Sequence, residues 1–410
     1  MGKNDNSYKW KILAIGVLAN GLVVAMLQLS VSSLAPIMHG DLGVTNPQAV
    51  FLYSMILGAT VVAQIPGGWL GDKFSLKIVG GVGILLMAFA TAVRGFTTNY
   101  EIQLASSLLV GAGNGLLYPI LIKLPSLWFP KNQESLAQGA NLVGFYLGGG
   151  IALSFSPAIV GSLGGWQTAY ISYAVLATVI ALGWFWLAKT PDTDVRSVDE
   201  PGEDNDDSTD STVEKKERKS LFKMKDTYLL VGVAFLGFYG GQGLMGVLPS
   251  WNQHLAFHVP AYVSGLPLFI GAAGSLVMPA IASKIGLKKT LYLGAVVAVC
   301  STIFYSLTTG FSELILDLAI IGVVNLGLAP LIYTLPGSIP DVGRDRIGAM
   351  AGIMRSLGMV GGAAGPFIAS VTLKETGLLA STAVLALPAV GIIPLLYLMR
   401  LKTSDNAAEA

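Results

Sequence analysis

The 410-residue chain is 53% hydrophobic and only 12% charged, with 25 Lys+Arg against 24 Asp+Glu, a formal net charge of +1 and a mean hydropathy of +0.65. Soluble domains carry roughly 25% charged residues, so the composition excludes a soluble globular domain and points to a membrane protein. The near-balanced charge adds nothing, and no nucleic-acid partner is expected.

Apolar runs long enough to cross a bilayer of ~30 Å, which takes ~20 helical residues each, predict twelve helices. They lie at 11–37, 47–71, 78–97, 101–127, 135–161, 166–188, 226–251, 261–284, 289–309, 312–337, 346–370 and 377–400. The first follows Lys9 and Lys11, but it is too long for a signal-peptide core and is expected to stay as helix 1. Lys73, Lys77, Lys131, Lys284, Lys288, Lys289, Arg344, Arg346, Arg400 and Lys402 fall on the side of the N terminus, against Arg94 and Lys374 on the other. The positive-inside rule then predicts a multi-pass protein of the cytoplasmic (inner) membrane with both termini cytoplasmic. The 50 glycines suit helices that meet in lipid through close backbone approach. Cys300 stands alone, so no internal disulfide is possible, and helix packing is its expected place.

After the sixth run the composition changes. Residues 189–225 carry EDNDDSTD and KKERK with few apolar residues, too few to offset the entropy of ordering them. This segment reads as a cytoplasmic linker between a six-helix half at 1–188 and a second at 226–400, followed by a tail at 401–410. The halves repeat one another. Gly111, Asn114, Pro119 and Pro125 recur as Gly322, Asn325, Pro330 and Pro336 at one offset (322 − 111 = 211), and Asp72, Lys73 and Lys77 fall opposite Ser283, Lys284 and Lys288.

Gly68-x-x-x-Asp72-Lys73-x-x-x-Lys77 between helices 2 and 3, set in two six-helix halves, resembles the major facilitator superfamily over nearly the whole chain. The fold implied is an all-α membrane protein, twelve transmembrane helices in two pseudo-symmetric halves. Read directly, Gly68 lets helices approach, Asp72 caps a helix end or pairs with a base, and the lysines hold the loop at the surface. In the family this loop latches the outward-facing state, which makes Gly68, Asp72, Lys73 and Lys77 the expected latch, although Ser75 and Leu76 depart from the usual glycine and arginine. Arg94, Asn114, Pro119, Ile122-Lys123 and Phe129-Pro130 resemble the cyanate and nitroimidazole permeases. Trp128-Phe129-Pro130 with Ala137, Gly139 and Gly148 resembles oxalate/formate exchangers, nitrate/nitrite porters and organic-anion symporters. These relatives mostly move small anions. Gln28, Ser107 and Asn114 stand where some of them carry arginine, arginine and glutamate.

A charge at a helix centre costs at least ~2.5–3.5 kcal/mol in lipid unless it faces a cavity or a partner, so Lys123 in helix 4 and Arg355 in helix 11 are the expected substrate residues. The resemblance places helices 4 and 11 on opposite sides of a central cavity, with the two cations at similar depth. Arg94 is expected to pair with Glu101 across a hairpin. Asn20, Gln28, Tyr53, Asn114, Tyr118, Asn141, Tyr146, Tyr239, Gln242, Asn325 and Tyr333 are polar or aromatic candidates for the cavity wall. Prolines in helices 1, 2, 4, 5, 7, 10 and 11 are expected to weaken them for bending.

The three histidines lie near outer loops without a metal-ligand set, and no GxxxxGK[ST] phosphate loop occurs. The expected protein is therefore no enzyme and takes no metal or cofactor. It is a monomeric gradient-driven transporter whose partners are the bilayer and a small anion, namely a monocarboxylate, dicarboxylate or inorganic anion. A proton-coupled drug or cation exporter and a non-transporting sensor of the same fold are the alternatives. Asp317 in helix 10 is the candidate coupling group, yet it lies where a helix-end contact serves as well, and the expectation is that no dedicated carboxylate drives the cycle.

Overall fold

The computed structural model describes residues 3–189, 221, 224–339, 342, 346–399 and 401, and leaves the side chains of 3–7, 72, 131, 132 and 135 undescribed. The expected linker at 189–225, apart from its ends, most of the tail at 401–410, Arg344, Arg400, Lys402 and the side chains of Asp72 and Lys131 therefore lie outside the described residues. Among the described residues every regular element is helical.

Twelve helices are long and apolar enough to cross a membrane: α1 (Tyr8–Met38), α2 (Asn46–Gly71), α3 (Leu76–Gly95), α4 (Tyr100–Trp128), α5 (Leu136–Leu163), α6 (Trp166–Leu187), α7 (Lys225–Asn252), α8 (Ala261–Ile285), α9 (Leu287–Leu307), α10 (Phe311–Ser338), α11 (Ile347–Thr376) and α12 (Leu378–Leu398). Local chemistry sets their ends. Thr45 and Gln48 cap α2, with Pro47 in its first turn, and the Asn99 side chain accepts Ile102 N–H to start α4. α1 begins and α12 ends on one side of the bundle, here the terminal face; the opposite side is the far face.

The internal repeat is visible as packing. A Cβ on Gly111 of α4 would press on the Ile56 carbonyl of α2, and one on Gly322 of α10 would meet the Pro267 carbonyl of α8 at 2.7 Å. Pro267 follows Ile56 by the same 211 positions that separate the glycines, so α2–α4 and α8–α10 cross in the same register.

Two helices are interrupted by π-segments, and α12 by a 3-10 segment at Leu387–Gly391 with Pro388 in its first turn. α1 widens into a π-segment at Ala19–Ala25, and α10 into another at Gly322–Leu326, before its chain restarts at Ala329–Thr334 with Pro330 in the first turn. By contrast α2, α4, α5, α7 and α11 run unbroken through Pro66, Pro119 and Pro125, Pro157, Pro249 and Pro366. Breaks therefore follow the prolines in α10 and α12 but not in those five helices.

Contacts across the two halves close the far face. Ser32 Oγ of α1 donates to the Met245 carbonyl of α7 at 2.7 Å, Asn46 Nδ2 of α2 to Ser250 Oγ of α7 at 3.0 Å, and Ser154 Oγ of α5 to the Tyr262 carbonyl of α8 at 2.6 Å. The Phe51 and Phe367 rings of α2 and α11 meet at 4.8 Å. Ala35, Ala49 and Val50 from the first half share one apolar cluster with Val247, Trp251, Leu314 and Leu318 from the second.

Two expectations need correction. Gly68 has nothing within 4 Å of a built Cβ, whereas Gly67 and Gly71 press on the Gly115 carbonyl and on Ile120, so the close approach of α2 to α4 rests on those two glycines. Lys73 Nζ lies 4.9 Å from the centre of the Trp69 ring and the lysine is exposed at the terminal face, while Lys77 gives its carbonyl to Trp184 Nε1. Cys300 is exposed on α9 and is not packed between helices.

Candidate functional site

One cavity of about 1260 Å³ occupies the centre. Its wall reaches Gln64 and Ile65 of α2, Lys123 of α4, Glu134 at the start of the α5 helix and Gly348 of α11, all near terminal-face ends of their helices. With the far face sealed, the cavity opens toward the terminal face. Of the expected polar residues, Asn20, Gln28, Asn114, Tyr118, Asn141, Tyr146, Gln242, Asn325 and Tyr333 line it together with Lys123 and Arg355. Two do not. Tyr53 is fully buried behind the wall, and Tyr239 donates to the Val384 carbonyl of α12 at 3.2 Å.

Arg355 projects from α11 across the gap between the halves. Its guanidinium carbon lies 3.7 Å from the centre of the Tyr118 ring of α4 and 5.5 Å from that of Tyr333 of α10, and its Nη1 donates to Tyr333 OH at 3.2 Å. Its Nε is buried with no partner. A guanidinium stacked on aromatic rings gains ~2 kcal/mol when desolvated, but the rings supply no counter-charge.

Lys123 also lines the cavity, though not on the level of Arg355. It stands five residues beyond Tyr118 toward the terminal face, about 7.5 Å along a helix rising 1.5 Å per residue. It lies near the mouth, and the expectation of similar depth fails. Glu134 lies beside it. Ser126, one turn after Lys123 on the same helix, donates to Glu134 Oε1, and Gln138 Nε2 donates to the Ile122 carbonyl at 2.6 Å. Lys123, Glu134 and Arg355 are the charged groups among the described lining residues. Glu134 went unnoticed in the sequence because it precedes the apolar run of helix 5. Its place in an S-L-W-F-P-K-N-Q-E link, eleven residues after Lys123, was the available signal.

Under the cavity floor a chain of hydrogen bonds joins four helices. Asn114 Nδ2 of α4 donates to Gln28 Oε1 of α1 at 3.3 Å, Gln28 Nε2 to Tyr53 OH of α2 at 3.4 Å, and Tyr53 OH to Gln242 Oε1 of α7 at 2.6 Å. The π-segments flank it. Asn20 Nδ2 in the first donates to the Asn141 carbonyl of α5 at 2.7 Å, and Leu326 in the second accepts from Tyr146 OH at 2.9 Å. π-segments recur at functional sites, and no single residue type announces them in a sequence.

Two of the charged groups singled out in the sequence, Arg94 and Asp317, sit apart from the cavity. Arg94 is 1% exposed, and its Nε and Nη2 donate to Ser106 Oγ at 2.9 Å and Ser107 Oγ at 2.6 Å, with the Tyr170 ring centre 5.7 Å from its guanidinium carbon. Glu101 is exposed, so the expected Arg94–Glu101 hairpin pair is replaced by this buried serine and tyrosine pocket. Asp317 is likewise 1% exposed, and its Oδ2 has no partner; it makes no helix-end contact. Among the described residues no group of three or more His, Cys, Asp or Glu could hold a metal.

The sequence profile of the Major Facilitator Superfamily matches residues 13–366. Similar proteins include the probable sulfoacetate transporter SauU of Cupriavidus necator, 26% identical over 98% of this chain and 96% of that protein. The sialic acid transporter NanX of Escherichia coli is 24% identical over 82% of this chain and 80% of its own. The probable anion transporter 6 of Arabidopsis chloroplasts, from Arabidopsis thaliana, is 23% identical over 84% and 69%. Among solved structures, a bacterial homologue of the human lysosomal transporter Spinster, inward-facing and occupied, aligns with a TM-score of 0.73 at 15% identity, over 97% of this chain and 96% of that one. That likeness is one of fold.

Proposed function

As this chain belongs to the Major Facilitator Superfamily and is a multi-pass membrane transporter, not an enzyme, we propose that it carries a small anion by alternating access, with both termini in the cytoplasm of a cell whose inner membrane it spans. The observation that carries the reading is Arg355, a cation where the two halves meet, with an unpartnered buried Nε and only aromatic neighbours. At 4 Å and an effective dielectric of 20, an anion beside it is worth about 4 kcal/mol before desolvation. The names of the similar proteins, transporters of sulfoacetate, sialic acid and anions, support the same class.

In this reading the two cations act in sequence. Lys123 at the mouth, with Glu134 alongside, concentrates anions at the terminal face, and Arg355 receives one at the floor between Tyr118 and Tyr333. Binding draws α4 and α11 together, while the far-face contacts between 1–188 and 226–400 give way. Asp72 with Lys73 and Lys77 then latches the terminal face, and Gly68, which has open space beside it here, receives the helix that closes on it.

Uptake by proteoliposomes, screened over short carboxylates, sulfonates, sugar acids, nitrate and cyanate, tests the proposal. Saturable uptake of at least one anion is expected, lost in Arg355→Gln and partly restored in Arg355→Lys, with both variants still folded in detergent. Wild-type uptake by Arg355→Gln would remove the site.

A further inference from the structure

We propose that Asp317 is a proton-binding site that the far face closes over, so that each closure takes up one proton from the far-face solution. The carboxyl is 1% exposed, its Oδ2 is buried without a partner, and it lies outside the cavity that holds Arg355. An ionised carboxylate stripped of water costs several kcal/mol unless a cation and hydrogen bonds compensate it. Neither is present among the described residues. The titratable group facing it is Tyr305 of α9, and that hydroxyl is already spent as a donor to Asn252 Oδ1 of α7 at 2.6 Å, whose Nδ2 is spent on Ser264 Oγ of α8 at 2.7 Å. Glu313, one turn nearer the far face on the same helix, is exposed and accepts from Thr309; its like charge opposes a second one on Asp317.

The dryness of the site depends on the conformational state. Leu314 and Leu318, which flank Asp317 on α10, belong to the apolar cluster that includes Trp251 of α7 and Ala35 and Val50 of the first half. Opening the far face pulls that cluster apart, water reaches the carboxyl, and the proton leaves to it as hydronium; closing reverses the transfer. The sign follows. The closed far face holds one more proton than the open one, so acid on that side favours closure and alkali favours opening, with a ratio that changes up to about tenfold per pH unit for one linked proton.

The test needs no substrate, so it stands or falls separately from the anion reading. In a Cys300→Ser background, Val50→Cys places a thiol in the buried far-face cluster, and its labelling by a membrane-impermeant maleimide, corrected for thiolate fraction with a free-cysteine peptide, reports opening. Labelling is expected to rise with pH in the otherwise wild-type protein and to stay low and flat in Asp317→Asn, with Asp317→Ser as a second variant should the first fold poorly. Infrared spectra are expected to show a protonated-carboxyl C=O band that Asp317→Asn lacks. His39, His254 and His258 also lie toward the far face. A pH response that survives in both variants assigns the effect to them and overturns the proposal, as does a response that follows sodium concentration instead of pH.

Discussion

The two halves place charge at matching positions and treat it differently. Tyr305 and Asp317 stand 211 positions after Arg94 and Ser106, so the α3–α4 and α9–α10 pairs carry equivalent far-face pockets, one with a buried cation and one with a buried acid. Two of the cation's donors meet Ser106 and Ser107 and its plane meets a ring face, while Nη1 is buried without a partner. The acid is surrounded by groups whose donors point elsewhere. Arginine cannot shed its proton at ordinary pH, so its pocket is fixed, whereas a carboxyl can exchange one. Repetition gave one scaffold, and the partners left around each charge decided whether it became a fixture or an exchanger.

The comparison breaks most visibly at the fixture. Arg94→Ala is expected to cost about 3 kcal/mol or more through the void it leaves, seen as a lower unfolding temperature in detergent, while Arg94→Met, of similar bulk, restores most of it. Next in size is the shared crossing. Gly111→Ala and Gly322→Ala are each expected to cost about 1–3 kcal/mol by overpacking. The first should cost more, because its carbonyl neighbour is closer; equal unfolding temperatures would argue that the second half has lost the constraint or the first can yield.

Where the halves touch, Tyr118→Leu should raise the half-saturation concentration for uptake about tenfold, since the stack on Arg355 is worth ~1–2 kcal/mol, while Tyr118→Phe, which keeps the ring, stays near wild type. The smallest effect belongs to the mouth. Glu134→Gln is expected to speed anion uptake severalfold at low ionic strength and to be indistinguishable from wild type near 1 M salt, where the Debye length is about 3 Å.

Most of the fold was legible because lipid imposes a length and an apolarity on every crossing. All twelve runs match their helices to within three residues, except that α11 continues to Thr376, six residues past the expected end. The overrun contains Lys374 and Glu375, exposed at the far face, where helix persists after the apolar run has stopped. The cavity wall was legible for a related reason, since a polar side chain in a span has few places to go. Glycine was harder to read. Gly67, Gly68 and Gly71 look alike in sequence, and only the rotation of α2 shows which of them meet α4. Tyr239 failed for the same reason, facing α12 instead of the cavity. Arg94 was misassigned because its partners are serines, which carry no charge to signal a pairing, and the far-face setting of Asp317 depends on neighbours from several other helices that no local pattern records.

The hydrogen-bond chain under the floor has a direction. Each of its three bonds donates the same way, from Asn114 through Gln28 and Tyr53 to Gln242, and only the last joins the halves. When the halves part, that link alone is lost, and the Tyr53 hydroxyl can swing round to donate to Gln28 once both amides turn over. The polar groups on the first-half side thus keep a partner within their own half after the link breaks, which lowers the cost of parting the halves.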